Sequence, residues 1–151
     1  MADQKLLFDM DGTITDGRYL SVEDRELHDY YALPTYDDIT RDVWNKLQDQ
    51  YDCYIVTARS MPRARQGVEE WLEKEFMDWP AGIIVGIEPH VRPYLYHDLQ
   101  ASALFDDNPA VPLDPWGNFY LMNNPYWEAN QKVEASLKIH NWKEIGDLLL
   151  K

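Results

Sequence analysis

The chain has 151 residues, 14 of them Lys or Arg and 27 Asp or Glu, for a formal charge of −13 with His neutral. That length suits one domain over 1–151 with a core of its own, and 45% hydrophobic with 13% aromatic residues excludes a disordered chain. A single cysteine, Cys53, excludes an intrachain disulfide, and no apolar run approaches the roughly 18 residues of a membrane span.

Short apolar runs alternate with segments of helical period, which predicts an α/β fold with a mostly parallel sheet. The first strand is Lys5 to Asp9, followed closely by Gly12. After an acidic, turn-rich stretch, Thr35 is placed to cap a helix, with Asp38 three residues on and Ile39, Val43 and Leu47 recurring along one face. A second strand runs from Tyr51 to Thr57. Pro62 opens a helix lined by Ala64, Val68, Trp71 and Leu72. A third strand spans Gly82 to Gly86, and a short helix covers Val91 to Leu99. Ser102 to Asp106 and Asn118 to Met122 read as the fourth and fifth strands. Asn141 and Glu144 form a capping box for a last helix carrying Trp142, Ile145, Leu148 and Leu149.

Open α/β sheets bind ligands beyond the carboxyl ends of their strands. Three strands here end in polar groups: Asp9 and Asp11 after the first, Thr57-Ala58-Arg59 after the second, Asp106-Asp107 after the fourth. Close carboxylates repel unless a cation joins them. A hard divalent ion resolves the repulsion, and Mg²⁺ suits a few carboxylates together with waters and a substrate phosphate. One acid of the Asp9/Asp11 pair can hold the metal and act as nucleophile. The other can serve as acid or base while its carbonyl reaches the metal. Gly12 permits the sharp exit from the strand. The Thr57 hydroxyl and the backbone N–H groups around Ala58 can donate to phosphate oxygens. A calcium loop fits less well, since an apolar strand precedes the pair and Thr13, Ile14 and Thr15 stand where that loop needs further ligands.

With these residues in place, Phe8-Asp9-Met10-Asp11-Gly12-Thr13 resembles the first signature of the haloacid dehalogenase superfamily of phosphohydrolases. Tyr54-Ile55-Val56-Thr57 resembles its second, and Leu104-Phe105-Asp106-Asp107 its fourth. The resemblance implies a doubly wound, Rossmann-like sheet with flanking helices and an Asp nucleophile. It implies Mg²⁺ held by Asp9, Asp11, Asp106 and Asp107. Asp9 would attack phosphorus, Asp11 would act as acid and then base, and Thr57 would hold the phosphoryl group. The third signature departs from the family's usual Lys. The one Lys between Thr57 and Asp106 is Lys74, on the solvated face of a helix, which leaves Arg92 or Arg59 for that role.

Neither the stretch from Asp9 to Thr57 nor that from Thr57 to Asp106 leaves room for a large cap. The expected site is open, covered at most by the segment from Asp16 to Tyr31 or by a neighbouring subunit in a homo-oligomer. The resemblance extends weakly to 5'(3')-deoxyribonucleotidases, through the acidic pair and Asn124-Pro125-Tyr126-Trp127. It extends also to the phosphatase half of polynucleotide kinase–phosphatases, through Thr57-Ala58-Arg59. A small phosphomonoester, a nucleoside monophosphate above all, fits the −13 charge better than a nucleic-acid end. Tyr19, Tyr30 and Tyr31 are placed to stack on its base. The alternatives are a polynucleotide 3'-phosphatase, or a silent phosphate-binding module, which would lack one of these acids. Met1 to Lys5 shows no signal-peptide core, and with Cys53 this gives a cytoplasmic, membrane-free expectation. Cys53, Trp71, Trp79 and Trp142 read as core or core edge. His28, His90, His97 and His140 lack metal-ligand spacing, with His90 and His97 near enough to Arg92 to reach substrate.

Overall fold

The computed structural model describes residues 4–16, 35–60, 63–110 and 117–151. Among them six strands form one sheet: β1 (Lys5–Asp9), β2 (Asp52–Val56), β3 (Gly82–Ile84), β4 (Ala103–Asp106), β5 (Phe119–Met122) and β6 (Lys138–Ile139). Their spatial order is β3-β2-β1-β4-β5-β6, and every pairing is parallel. Parallel neighbours need long crossovers. The described helices are α1 (Asp38–Gln48), α2 (Ala64–Lys74), α3 (Arg92–Asp98), α4 (Glu128–Gln131) and α5 (Trp142–Leu149).

The central strands are apolar on both faces because helices cover both. Leu6 and Phe8 of β1, Cys53 and Ile55 of β2 and Phe105 of β4 pack with residues of α1, α2 and α5. Leu7, Val56 and Leu104 point the other way, toward Tyr96 of α3. The Phe8 ring stacks on Phe105 at 4.8 Å and on Trp142 at 5.3 Å, and Phe105 stacks on Tyr120 at 5.0 Å. Such pairs contribute about 0.5–1.5 kcal/mol each beyond their buried area. They also fix β1 against β4, where Phe8 is in register with Phe105. Asp9 and Asp106 are the next residue along each strand, so this stack sets where their carboxylates stand.

The elements depart from expectation in a few places. The cap of α1 is Asp37, whose Oδ1 accepts from the Thr40 amide and hydroxyl, while Thr35 pairs in an isolated bridge with Thr15. The buried face of α1 is Thr40, Val43, Trp44 and Leu47, and Ile39 is exposed. At 3.6 residues per turn, Ile39 lies roughly a quarter turn from the middle of that face. Leu148 and Trp79 are likewise exposed, whereas Trp71, Trp142 and Cys53 are buried. The helix start expected at Pro62 lies outside the described residues, and α2 runs from Ala64. Strand β6 and helix α4 went unread, being only two and four residues long. No helix among the described residues is long and apolar enough to cross a membrane. The expected lid, Asp16 to Tyr31 with Tyr19, Tyr30 and Tyr31, lies beyond Asp16 outside the described residues, as does His28.

Candidate functional site

The strand order reverses at β1, which has β2 on one side and β4 on the other. At such a switch point the crossovers leave in opposite directions and open a crevice at the strands' carboxyl ends. Asp9 ends β1 and Asp106 ends β4, both buried, with Asp107 beside them.

The turn after β1 is built around the Met10 carbonyl, which accepts from the amides of Thr13, Ile14 and Thr15 at 3.3, 2.9 and 3.1 Å. Gly12 has φ +84°, a left-handed conformation costly for other residues. Thr13 is fully buried, and its hydroxyl donates to Asp9 Oδ2 at 3.1 Å. Outside the turn, the Tyr36 hydroxyl donates to the Gly12 carbonyl at 2.6 Å and the Trp142 indole to the Thr13 carbonyl at 2.8 Å.

Oxygens of Asp9, Asp106 and Asp107 lie within 4.8 Å of one another, so these three buried aspartates can hold a metal ion. Arg92, which opens α3 and is itself buried, joins the cluster through one atom. Its Nη1 donates to Asp9 Oδ1 at 2.8 Å and also to Asp106 Oδ2. Its Nε donates to the Ile87 carbonyl at 3.3 Å. Arg92 is therefore the arginine that touches the candidate nucleophile. Arg59 instead faces Asp11, with Nε 3.0 Å from Oδ2 and Nη2 on Oδ1. Asp11 stands outside the three-acid cluster. Thr57 is buried, its hydroxyl accepting from the Arg59 amide at 3.1 Å, and Ala58 lies between the two in the chain. His97 packs edge-on against Tyr96, and His90 is exposed.

Two residues that the sequence reading missed complete the cluster. Asn124 donates through Nδ2 to Asp107 Oδ2 at 2.7 Å, and Asn130 donates to the Asp107 carbonyl at 2.7 Å. Both are buried. A polar residue two places beyond the apolar run of β5 was the available signal for Asn124. The Asp106 carboxylate also accepts from the Asn108 amide at 2.9 Å.

Burial pushes the Asp9 carboxyl well above the ordinary carboxylate range, and the Asp106 charge adds to it. Burial raises Asp106 as well. Asp107 is pushed up to about 7, by burial first and then by Asp106. Burial opposes the charge on Arg92, but Asp9 and Asp106 outweigh it and hold the guanidinium protonated. Among the described residues the three carboxylates, when ionised, stand against one guanidinium, an excess of two negative charges that a divalent cation matches. No protein-family model and no curated protein sequence matches the chain.

Proposed function

We propose that the protein is a Mg²⁺-dependent phosphomonoester hydrolase of the haloacid dehalogenase superfamily, acting through an aspartyl-phosphate on Asp9. The carrying observation is the arrangement at the switch point. Asp9 and Asp106 both belong to the three-acid cluster and to the Arg92 contact, and of the two Asp9 is the one followed by another acid, Asp11, two residues on. Perturbed, buried acids gathered in a crevice are characteristic of sites that do chemistry.

In this reading Asp9 attacks phosphorus, the bond from phosphorus to the ester oxygen breaks, and Asp11 gives its proton to that oxygen. Asp11, now a base, takes a proton from water. The water oxygen attacks phosphorus, the acyl phosphate opens, and Asp9 is restored as inorganic phosphate leaves. Arg92 keeps the Asp9 carboxylate aimed into the crevice. Arg59 positions Asp11 through two contacts; for the acid step that pairing gives way so that Asp11 carries a proton, and the Thr57 hydroxyl would hold the phosphoryl group. Bound Mg²⁺ would offset the excess charge of Asp9, Asp106 and Asp107 and draw negative charge from the phosphoryl oxygens.

The charge of −13 favours a substrate with one phosphate, and a nucleoside monophosphate is the class proposed. The test is hydrolysis of p-nitrophenyl phosphate, then of deoxynucleoside monophosphates and a 3'-phosphorylated oligonucleotide, with Mg²⁺ and with EDTA. Turnover should need Mg²⁺ and fall by at least about a hundredfold in Asp9→Asn. Full activity in EDTA refutes the reading, and a tenfold preference for the oligonucleotide replaces the substrate class with nucleic-acid ends.

A further inference from the structure

A cavity of about 220 Å³ opens at the carboxyl end of β5, between the starts of α1 and α5. That exceeds the roughly 150 Å³ of an engineered cavity that admits benzene, so it has room for a flat ring. The floor is apolar, made by Met122 and Trp142, both buried. Tyr36 forms a wall, and the rim carries Asp37, Asn123, His140 and Asn141.

Hydrogen bonds join this cavity to the acid cluster from two sides. Tyr36 and Trp142 hold the carbonyls of Gly12 and Thr13, in the turn whose Thr13 hydroxyl donates to Asp9. Asn124, which donates to Asp107, sits in the chain between the lining residues Asn123 and Pro125. The cavity's walls are thus hydrogen-bonded to the turn after Asp9 and adjoin the residue that supports Asp107.

The rim groups specify the chemistry of an occupant. Asn123 Oδ1 accepts from Gln131 Nε2 at 2.8 Å, which leaves its Nδ2 as a donor. Asn141 Oδ1 caps the Glu144 amide at 3.0 Å, which likewise leaves Nδ2 as the donor. His140 uses its backbone amide on Glu144, at 2.8 Å, and its ring is exposed at the rim. Asp37 spends Oδ1 on Thr40. Its other oxygen is an acceptor. Several donors and an acceptor around a flat apolar floor suit a heteroaromatic base with carbonyl and amino groups. A second cavity, about 70 Å³, touches Asp106 and Asn108 but is otherwise lined largely by apolar groups such as Leu104, Phe119, Leu121 and Leu137, and it is too small for a base and would leave its polar groups mostly unpaired.

We infer that the cavity at Tyr36, Asn123, His140 and Trp142 is the subsite for the nucleoside half of the substrate, an inference that rests on the phosphatase reading. The experiment titrates free deoxynucleosides, in the presence of Mg²⁺, into isotope-labelled protein and follows its amide and indole resonances. The Trp142 indole and the Asn123, His140 and Asn141 groups should move together. His140→Ala and Asn123→Ala should each weaken nucleoside affinity by about three- to tenfold, the loss of one hydrogen bond. Wild-type resonances that move elsewhere or not at all overturn the subsite, as does unchanged affinity in both variants. Wild-type hydrolysis of p-nitrophenyl phosphate, which carries no nucleoside, tests catalysis separately. Turnover of that ester with no nucleoside response at the cavity removes the subsite and leaves the hydrolase reading standing. Absence of turnover removes the reading on which the subsite rests.

Discussion

Arg92→Ala should expose how much the acid cluster depends on its guanidinium contact with Arg92. The side chain is buried, and its Nη1 serves both Asp9, at 2.8 Å, and Asp106. Its removal leaves Asp9, Asp106 and Asp107 buried together with that cation gone. Removing one partner of a buried charge pair costs about 3–5 kcal/mol. At about 2–4 °C per kcal/mol for a chain of this size, Tm should fall by roughly 10 °C in EDTA at pH 8. The loss should be smaller at pH 5, because the carboxyls, already raised by burial, can take up protons and shed their repulsion. Arg92→Lys separates charge from shape. One nitrogen makes both carboxylate contacts, so an ammonium can replace it and lose mainly the Nε bond to Ile87, about 1 kcal/mol. Thermal melts by circular dichroism at pH 5, 6.5 and 8 in EDTA read this directly. An unchanged Tm in Arg92→Ala, or a loss of the same size at all three pH values, would refute the reasoning.

The metal-free wild type should lose stability as pH rises from about 4 to 7, because Asp107, raised to about 7 when folded, binds protons that the unfolded chain has released; saturating Mg²⁺ should flatten that decline in thermal melts. Asn124→Ala removes the 2.7 Å support of Asp107 and should weaken Mg²⁺ affinity by about tenfold in calorimetric titration, with an unchanged fold in the amide spectrum. Arg59→Ala frees the Asp11 carboxylate and should lower kcat for p-nitrophenyl phosphate more than it alters KM; a change confined to KM would place Arg59 on the phosphate instead.

Much of the site was legible because its residues sit at the ends of apolar runs. Asp9 follows Leu6-Leu7-Phe8, and Asp106 follows Ala103-Leu104-Phe105, so parallel pairing brings both to one edge of the sheet. The choice between Arg92 and Arg59 was not legible. It depends on how the start of α3 and the turn after β2 are rotated about the crevice, which no spacing encodes. Asn124 and Asn130 were missed for a related reason, since their roles arise from β5 and α4 folding back on Asp107. The face of α1 was misjudged at Ile39 because positions four apart drift around a helix, and Trp44 and Thr40 define the buried arc better. Strand β6 has two residues, too few for any alternation to register.

The most direct test is to capture the phosphoryl group on Asp9. In Asp11→Asn, p-nitrophenyl phosphate still has a leaving group that departs without a proton, while the base for the water step is gone. The variant, mixed with that ester and Mg²⁺ and then acid-quenched, should carry one phosphoryl group by intact-protein mass, located by peptide mapping at Asp9. A wild type that turns the ester over, with label on any other residue or none on the Asp11→Asn protein, would contradict Asp9 as the nucleophile.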